Sequence, residues 1–403
     1  MSFIRPSRRR FLTSMAGSGI ALSASRLPGF AAAPSADVAA LRDKIDHIIV
    51  IYQENRSFDH YFGAYRHPAG AHVENLLDAN GEVSPRFTGL QKNAAGVVYS
   101  TLPMPDDIPS LQQKPFANKP FPLGPHIPAG ENVAWDPSHH FFRMFAQIDG
   151  GKMDQFVALA LTKKHAPFTS ATEADRVRTM FSESKPSGAV LGYYTRDDIP
   201  HYHRLADEYV LFDHFFQAIS GGSTANALYL VSARSAVWQK APKASVGNMA
   251  KAVFDMPYDD QGILINDLPP VNGPTEAFWA DYLKLAPPPE EQTYPNIGDR
   301  LAAAGLTWAW YNEDWNRVKD WSLKTAFGPG DGSAVIDSVD MYLPHHNPFQ
   351  YYPSWNANVK AGRMRDSEDF FADVKAGNLP SVSFIKATGA HDEHPADSAP
   401  QWG

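Results

Sequence analysis

A parallel α/β fold is what the sequence predicts, and three observations predict it. Continuous β-branched and aromatic runs recur along the chain, as in strands covered on both faces. Segments with apolar residues at three- and four-residue spacing lie between those runs, the pattern of amphipathic helices. Their alternation calls for a mainly parallel sheet with helices on both faces, interrupted by long loop insertions. With 403 residues, 43% of them hydrophobic, the chain can build one large domain with a sizeable core, which excludes global disorder.

The first run, Ile48–Tyr52, breaks off into Glu54-Asn55 and then an aromatic, His-bearing segment. Residues 209–212 (YVLF), 306–311 (LTWAWY) and 381–385 (SVSFI) read as further buried strands. Helical spacing falls at residues 151–163, 199–208, 225–233, 297–304 and 367–376, with Gly305 as a helix stop before the next strand. Two stretches break the alternation. Residues 101–130 hold eight prolines, and residues 240–295 mix Pro, Gly, Asn and acids around Pro287-Pro288-Pro289. Loops of this length either cover the mouth of a site and set substrate choice or decorate the surface.

There is no cysteine, which removes disulfides, thiolate zinc sites and thiol nucleophiles together. Carboxylate, amide, hydroxyl and imidazole chemistry are left. At the N-terminus, Ser7-Arg8-Arg9-Arg10-Phe11-Leu12 resembles a twin-arginine signal, followed by a weakly apolar stretch and the small residues Ala31-Ala32-Ala33. Residues 1–33 are therefore expected to be an export signal, residues 34–44 a linker and residues 45–403 the working domain. The expected location is periplasmic or secreted, with the twin-arginine export machinery as a partner. The apolar stretch is too short and too rich in Gly and Ser to span a membrane, so no stable insertion is expected. Removing residues 1–33 takes away five arginines and no acids, moving the formal charge from −8 to −13. Nucleic acid and anionic membrane find no overall attraction in such a chain.

Glu54 and Asn55 follow the first strand at its carboxyl end, where open α/β sheets bind their ligands. Both offer oxygen to a hard divalent cation, of unknown identity. Ser223 follows the pair Gly221-Gly222 and opens a helix, where free N–H groups and the helix dipole favour a nearby anion; a Ser in that position also serves as a simple cap. Histidines gather in three motifs: Asp136-Pro137-Ser138-His139, His345-His346, and His391-Asp392-Glu393-His394 after the strand at 381–385. Imidazoles there can donate hydrogen bonds to an oxyanion and protonate a leaving group near neutral pH.

The eleven residues QENRSFDHYFG (53–63) resemble the opening signature of the bacterial phosphoesterases that include phospholipase C and related acid phosphatases. The resemblance implies an alkaline-phosphatase-like fold and metal-dependent hydrolysis of a phosphate-ester substrate. It implies Ser223 as nucleophile, through a phosphoseryl intermediate, with Asn226 as the accompanying substrate-binding amide. Here this chain has Gly222 and Ala225 where the family has Pro, and Ala227 for a frequent Arg. The resemblance also sets His139, His345, His346 and His394 around the phosphate as catalytic and binding groups, and Glu54, Asn55 and Ser223 on the metal ion. The contexts of residues 51–65 and 149–156 point to phosphomonoesters, with phospholipase C as the alternative. Family members continue after the His-Pro motif with a further strand and an acidic pair. None follows here, so Asp392-Glu393 reads as part of the His-Pro motif and the domain as lacking its C-terminal segment. A reading of another class follows from that: an inactive phosphate- or metal-binding remnant.

Overall fold

The computed structural model describes residues 40–41, 43–78, 80–84, 89–133, 136–162, 184–247, 256–276, 290–320, 335–336 and 342–397. The expected export signal, residues 34–39 and 42 of the linker, Lys163 and Pro287-Pro288-Pro289 lie outside the described residues. The chain divides into two units, Met1–Asp46 and His47–Gly403. In the first, Lys44 N and Ile45 N donate to Leu41 O and close a single turn.

The second unit is organised by a four-stranded parallel sheet. Its strands are β1 (Ile48–Tyr52), β2 (Trp308–Asn312), β3 (Met364–Arg365) and β4 (Val382–Lys386), in the order β1-β4-β2-β3. Three of the four runs read from sequence thus become strands, all parallel, as the helix-strand alternation requires. The register pairs Tyr52 with Lys386 and Lys386 with Asn312, so the three long strands end in one row. Helices pack on both faces. A Cβ on Gly298, in the helix α5 (Ile297–Ala303), would meet the Trp308 ring at 2.4 Å, while the hydroxyl of Tyr311 donates to Asp373 at 2.6 Å in α6 (Ser367–Ala376). Trp308 and Tyr311 point to opposite faces because strand side chains alternate. Both helices begin with reciprocal capping boxes, Asn296 with Asp299 and Asp366 with Asp369. Gly305 adopts a φ of +72° one residue past the cap of α5, the expected stop.

Around the sheet, Trp308, Trp310, Phe349, Trp355 and Phe384 form the main core. A second core is built largely by the proline-rich stretch, from Leu102, Leu111, Phe116, Phe121, Leu123 and Ile127. Residues 101–130 are therefore more than surface decoration. Their prolines set short extended pieces between apolar residues that are buried, and the segment supplies the interior of its own half of the unit.

Three sequence expectations need correction. Residues 209–212 form no strand, and Tyr209, Val210 and Phe212 are exposed at 70%, 75% and 66%. Nothing in an apolar run specifies a partner, and here no described strand supplies one. β1 is not covered on both faces either: it is an edge of the sheet, and Ile48 and Ile51 are 54% and 69% exposed. Residues 151–162 are not a helix. Gly150, Gly151 and Met153 take positive φ angles that no α-helix accommodates, and the apolar run from Val157 to Leu161 is buried in extended and turn conformations ending in the short strand Leu161–Thr162.

Candidate active site

The row of strand ends fixes the site. After β1 the chain turns at Asn55, whose φ of 59° lies in the left-handed region that asparagine tolerates better than most residues. Glu54 sits just before that turn, 8% exposed, with its N–H donating to Asp392 O at 3.2 Å. The loop after β1 is thereby stitched to the loop after β4. Past β2, Glu313 accepts from Thr388 N at 3.0 Å and lies 2.8 Å from His391 Nδ1, which fixes the start of the same β4 loop.

The hydroxyl is presented by α4 (Ser223–Ser232). A Cβ on Gly221 would meet Ile265 O at 2.0 Å, and one on Gly222 would meet Asp267 Oδ1 at 2.5 Å, so the glycine pair is required by close approach of residues 265–267. The Asn226 amide ties the same loop down: it donates to Ile219 O, Gly221 O and Gly222 O at 3.1, 3.2 and 3.2 Å and accepts from Ile219 N at 3.3 Å. Asn226 thus shapes the turn that presents Ser223, its amide being engaged by the loop. Gly222, not Ser223, is the helix cap, which removes the plain capping role for this serine. The first helical N–H beyond it, that of Thr224, donates to Asp267 Oδ1 at 2.9 Å.

Ser223 Oγ donates to Glu54 Oε1 at 3.0 Å. The same oxygen lies 3.2 Å from His346 Nε2, and the other, Oε2, lies 3.0 Å from Lys386 Nζ. Lys386 also binds Asp392 Oδ2 at 2.7 Å, and His346 Nδ1 is 3.7 Å from that oxygen. All of these side chains are buried. Burial opposes ionisation of Glu54, but the charge and hydrogen bond of Lys386 hold the carboxyl below its usual range. Burial raises Asp392, against the pull of Lys386. Burial also pushes His346 well below an ordinary imidazole, so it is neutral near pH 7.

A second group stands at the rim. His139 Nε2 is 3.2 Å from the Asn55 amide, and the rings of His139 and His394 meet edge to face at 5.6 Å. His139 Nδ1 lies 2.8 Å from Pro137 O and 3.4 Å from Asp136; His394 Nδ1 lies 2.7 Å from Pro395 O. Burial would lower His139, but Asp136 outweighs it and lifts the imidazole to about 10. His345 lies beside His346 with the rings tilted at 60° and their centres 4.1 Å apart, and is partly exposed.

The structure therefore brings Glu54, Ser223 and His346 into one contact group, and Asn55, His139 and His394 into a neighbouring one. Three ligand atoms from Glu54, His346 and Asp392 lie within 4.8 Å of one another, as do three from Asp136, His139 and His394. The first set suits a divalent metal. It mixes carboxylate oxygen with neutral imidazole, and His346 Nδ1 is buried without a hydrogen bond. Asp392 enters this set, contrary to its reading as a mere part of the His-Pro motif. Glu393 does not, since Tyr61 donates to it at 2.6 Å and Tyr202 holds its other oxygen.

Sequence reasoning missed Lys386, Asp392, Asp267 and Glu313. For Lys386 a signal existed: it ends an apolar strand just as Glu54 follows one, so two strand ends carry opposite charges. Next to the site, a cavity of about 1280 Å³ is lined by Arg56, Ser57, His60, Gln217 and Ser220 together with Phe58, Met144, Met153, Phe156, Phe215 and Phe216. Arg56 and Ser220 lie two and three residues from Glu54 and Ser223 along the chain.

A parallel α/β unit with a buried hydroxyl, a carboxylate and histidines at its strand ends is the outline of a hydrolytic site, and comparison with known proteins gives it a family. The Phosphoesterase family model matches residues 45–403, and the chain belongs to that family. It is 26% identical over 400 residues to phospholipase C A of Mycobacterium tuberculosis (strain ATCC 25618 / H37Rv), covering 97% of this chain and 59% of that protein. To phospholipase C B of the same organism it is 31% identical over 356 residues, covering 87% of this chain and 51% of the relative. A non-hemolytic phospholipase C of Pseudomonas aeruginosa is 24% identical over 422 residues, covering 99% and 44%. The chain spans about half the length of the curated relatives it matches.

Proposed function

We propose that the protein hydrolyses phosphoric esters with Ser223 as nucleophile, on an alkaline-phosphatase-like fold. The observation that carries this reading is the 3.0 Å hydrogen bond from Ser223 Oγ to Glu54 Oε1, made by a serine that opens a helix at the carboxyl ends of a parallel sheet. In the proposed step Ser223 Oγ bonds to phosphorus, the ester P–O bond breaks, and the hydroxyl proton passes along the existing hydrogen bond to Glu54. His139, charged at neutral pH, and His394 hold the phosphoryl oxygens, and one of them protonates the departing oxygen. Water then cleaves the phosphoserine. A divalent cation held by Glu54, His346 and Asp392 would supply positive charge beside Ser223, lowering its pKa and offsetting charge on phosphorus. Residues 1–33 are read as a twin-arginine export signal, which puts the protein in the periplasm or outside the cell.

Phosphomonoesters are the first substrate reading. Phospholipid head-group esters are the second, favoured by the largely apolar lining of the adjacent cavity and by the names of the relatives. No helix among the described residues is long and apolar enough to cross a membrane, so a lipid substrate would be met at a bilayer surface. The test is Ser223→Ala, assayed with p-nitrophenyl phosphate and with phosphatidylcholine vesicles. Turnover of the preferred substrate should fall on the order of a thousandfold or more, with little change in melting temperature. Near-normal turnover would remove Ser223 from the mechanism. Wild-type protein inert towards both substrates would favour the inactive remnant.

A further inference from the structure

The sheet delivers a cation into the same buried group as the acids, and the reaction outlined above does not use it. Lys386 ends β4 and is fully buried, with Nζ 3.0 Å from Glu54 Oε2, 2.7 Å from Asp392 Oδ2 and 5.4 Å from the centre of the Tyr52 ring. We propose that Lys386 is the resident counter-charge of the Glu54–Asp392 pair: it holds both carboxylates in place when no divalent cation is bound, and by repulsion it sets how tightly such a cation is held. This rests on the reading of Glu54, His346 and Asp392 as metal ligands, and makes Lys386 a positioning residue.

Charge and geometry carry the inference. Glu54 and Asp392 bring two negative charges to one buried volume, and two carboxylates there without a cation are unfavourable. Lys386 supplies one positive charge and contacts one oxygen of each acid, leaving Glu54 Oε1 turned to Ser223 and His346. Glu54, Asp392 and Lys386 together present a divalent cation with a net charge of −1 instead of −2, and an ammonium already lies on two of the available oxygens. Removing the ammonium therefore has effects of opposite sign. The metal-free protein loses its internal cation, whereas the metal-bound protein loses a repulsion. A lysine that only fills space predicts harm to both.

The experiment uses the full chain with Lys386→Met, which keeps length and removes charge, and Mn²⁺ as the probe. Melting temperature is read in EDTA and in saturating Mn²⁺, and the Mn²⁺ Kd is measured by calorimetry. The variant should melt well below wild type in EDTA, recover most of the difference in Mn²⁺, and bind Mn²⁺ about tenfold or more tightly than wild type. Equal or weaker Mn²⁺ binding by the variant, with wild type binding Mn²⁺ normally, overturns the proposal and leaves the metal reading standing. Absence of Mn²⁺ binding by wild type removes both. If Lys386→Met does not fold without metal, Lys386→Gln, which retains a donor for Asp392, gives the same comparison: tighter Mn²⁺ binding supports the proposal and unchanged binding overturns it.

Discussion

Two histidines at the same end of the sheet are held in opposite states. His346 is buried between Glu54 and Asp392, and burial keeps it neutral even though two carboxylates are within 4 Å. His139 stands at the rim with its side chain 24% exposed, 3.4 Å from one carboxylate, and Asp136 holds it protonated against the burial that opposes this. The difference lies first in burial, which at His346 outweighs the pull of Glu54, with His345 and the Lys386 ammonium adding repulsion. At the rim Asp136 is the largest influence that raises His139 against burial. The inner group is thus a source of lone pairs and the outer one a source of N–H donors, and the proposed reaction needs both.

The comparison can be broken most forcefully from the inside. Asp392→Asn leaves a buried ammonium with one acid, and breaking such a pair costs about 3 kcal/mol or more. Urea denaturation should show that loss, and a change under about 1 kcal/mol would mean that the inner group is not a working ion pair. Rim substitutions should do the reverse. His139→Gln and His394→Gln should each cost less stability than Asp392→Asn, because the groups they contact reach water, yet lower turnover roughly a hundredfold through loss of a donor to the developing charge. Full turnover by both variants would place the phosphate elsewhere.

The smallest expected effect is one of pH. The pKa of His139 is raised from 6.5 to about 10 by Asp136. The charge pair therefore adds stability that is complete below the unfolded value and is lost as pH rises through about 10. Asp136→Asn should remove that dependence and bring the His139 titration, followed by NMR, down towards or below its ordinary range. An unmoved titration would show that Asp136 is not what protonates it.

Much of this was legible in the sequence where a single strand or helix start carries the signal. β1, β2 and β4 announce themselves as apolar runs, Glu54 follows directly from where the first of them stops, and Ser223 from the glycine pair that precedes its helix. The partners of those residues were not legible, because partnership is a matter of register. That Lys386 faces Glu54 depends on Tyr52 lying opposite Lys386, and no local pattern states which strand lies beside β1. Residues 209–212 show the same limit from the other side, having strand composition without a strand to pair with. The proline-rich stretch misled for another reason. Proline signals the end of helices and central strands, but says nothing about burial, and the apolar residues between the prolines form a core.

The alignment of Lys386 with Tyr52 bears on how the chain reaches its fold. Side chains alternate across a strand, so a slip of β4 by one residue against β1 would turn Lys386 to the other face of the sheet and away from Glu54 and Asp392. A misaligned sheet would then bury three charges without partners, an error far costlier than misplacing an apolar side chain. Aliphatic strands such as IIVIY and VSFIK discriminate poorly between neighbouring alignments, since most of their residues can exchange places at little loss. The ammonium at the end of β4 thus favours the one pairing in which Glu54 also meets Ser223.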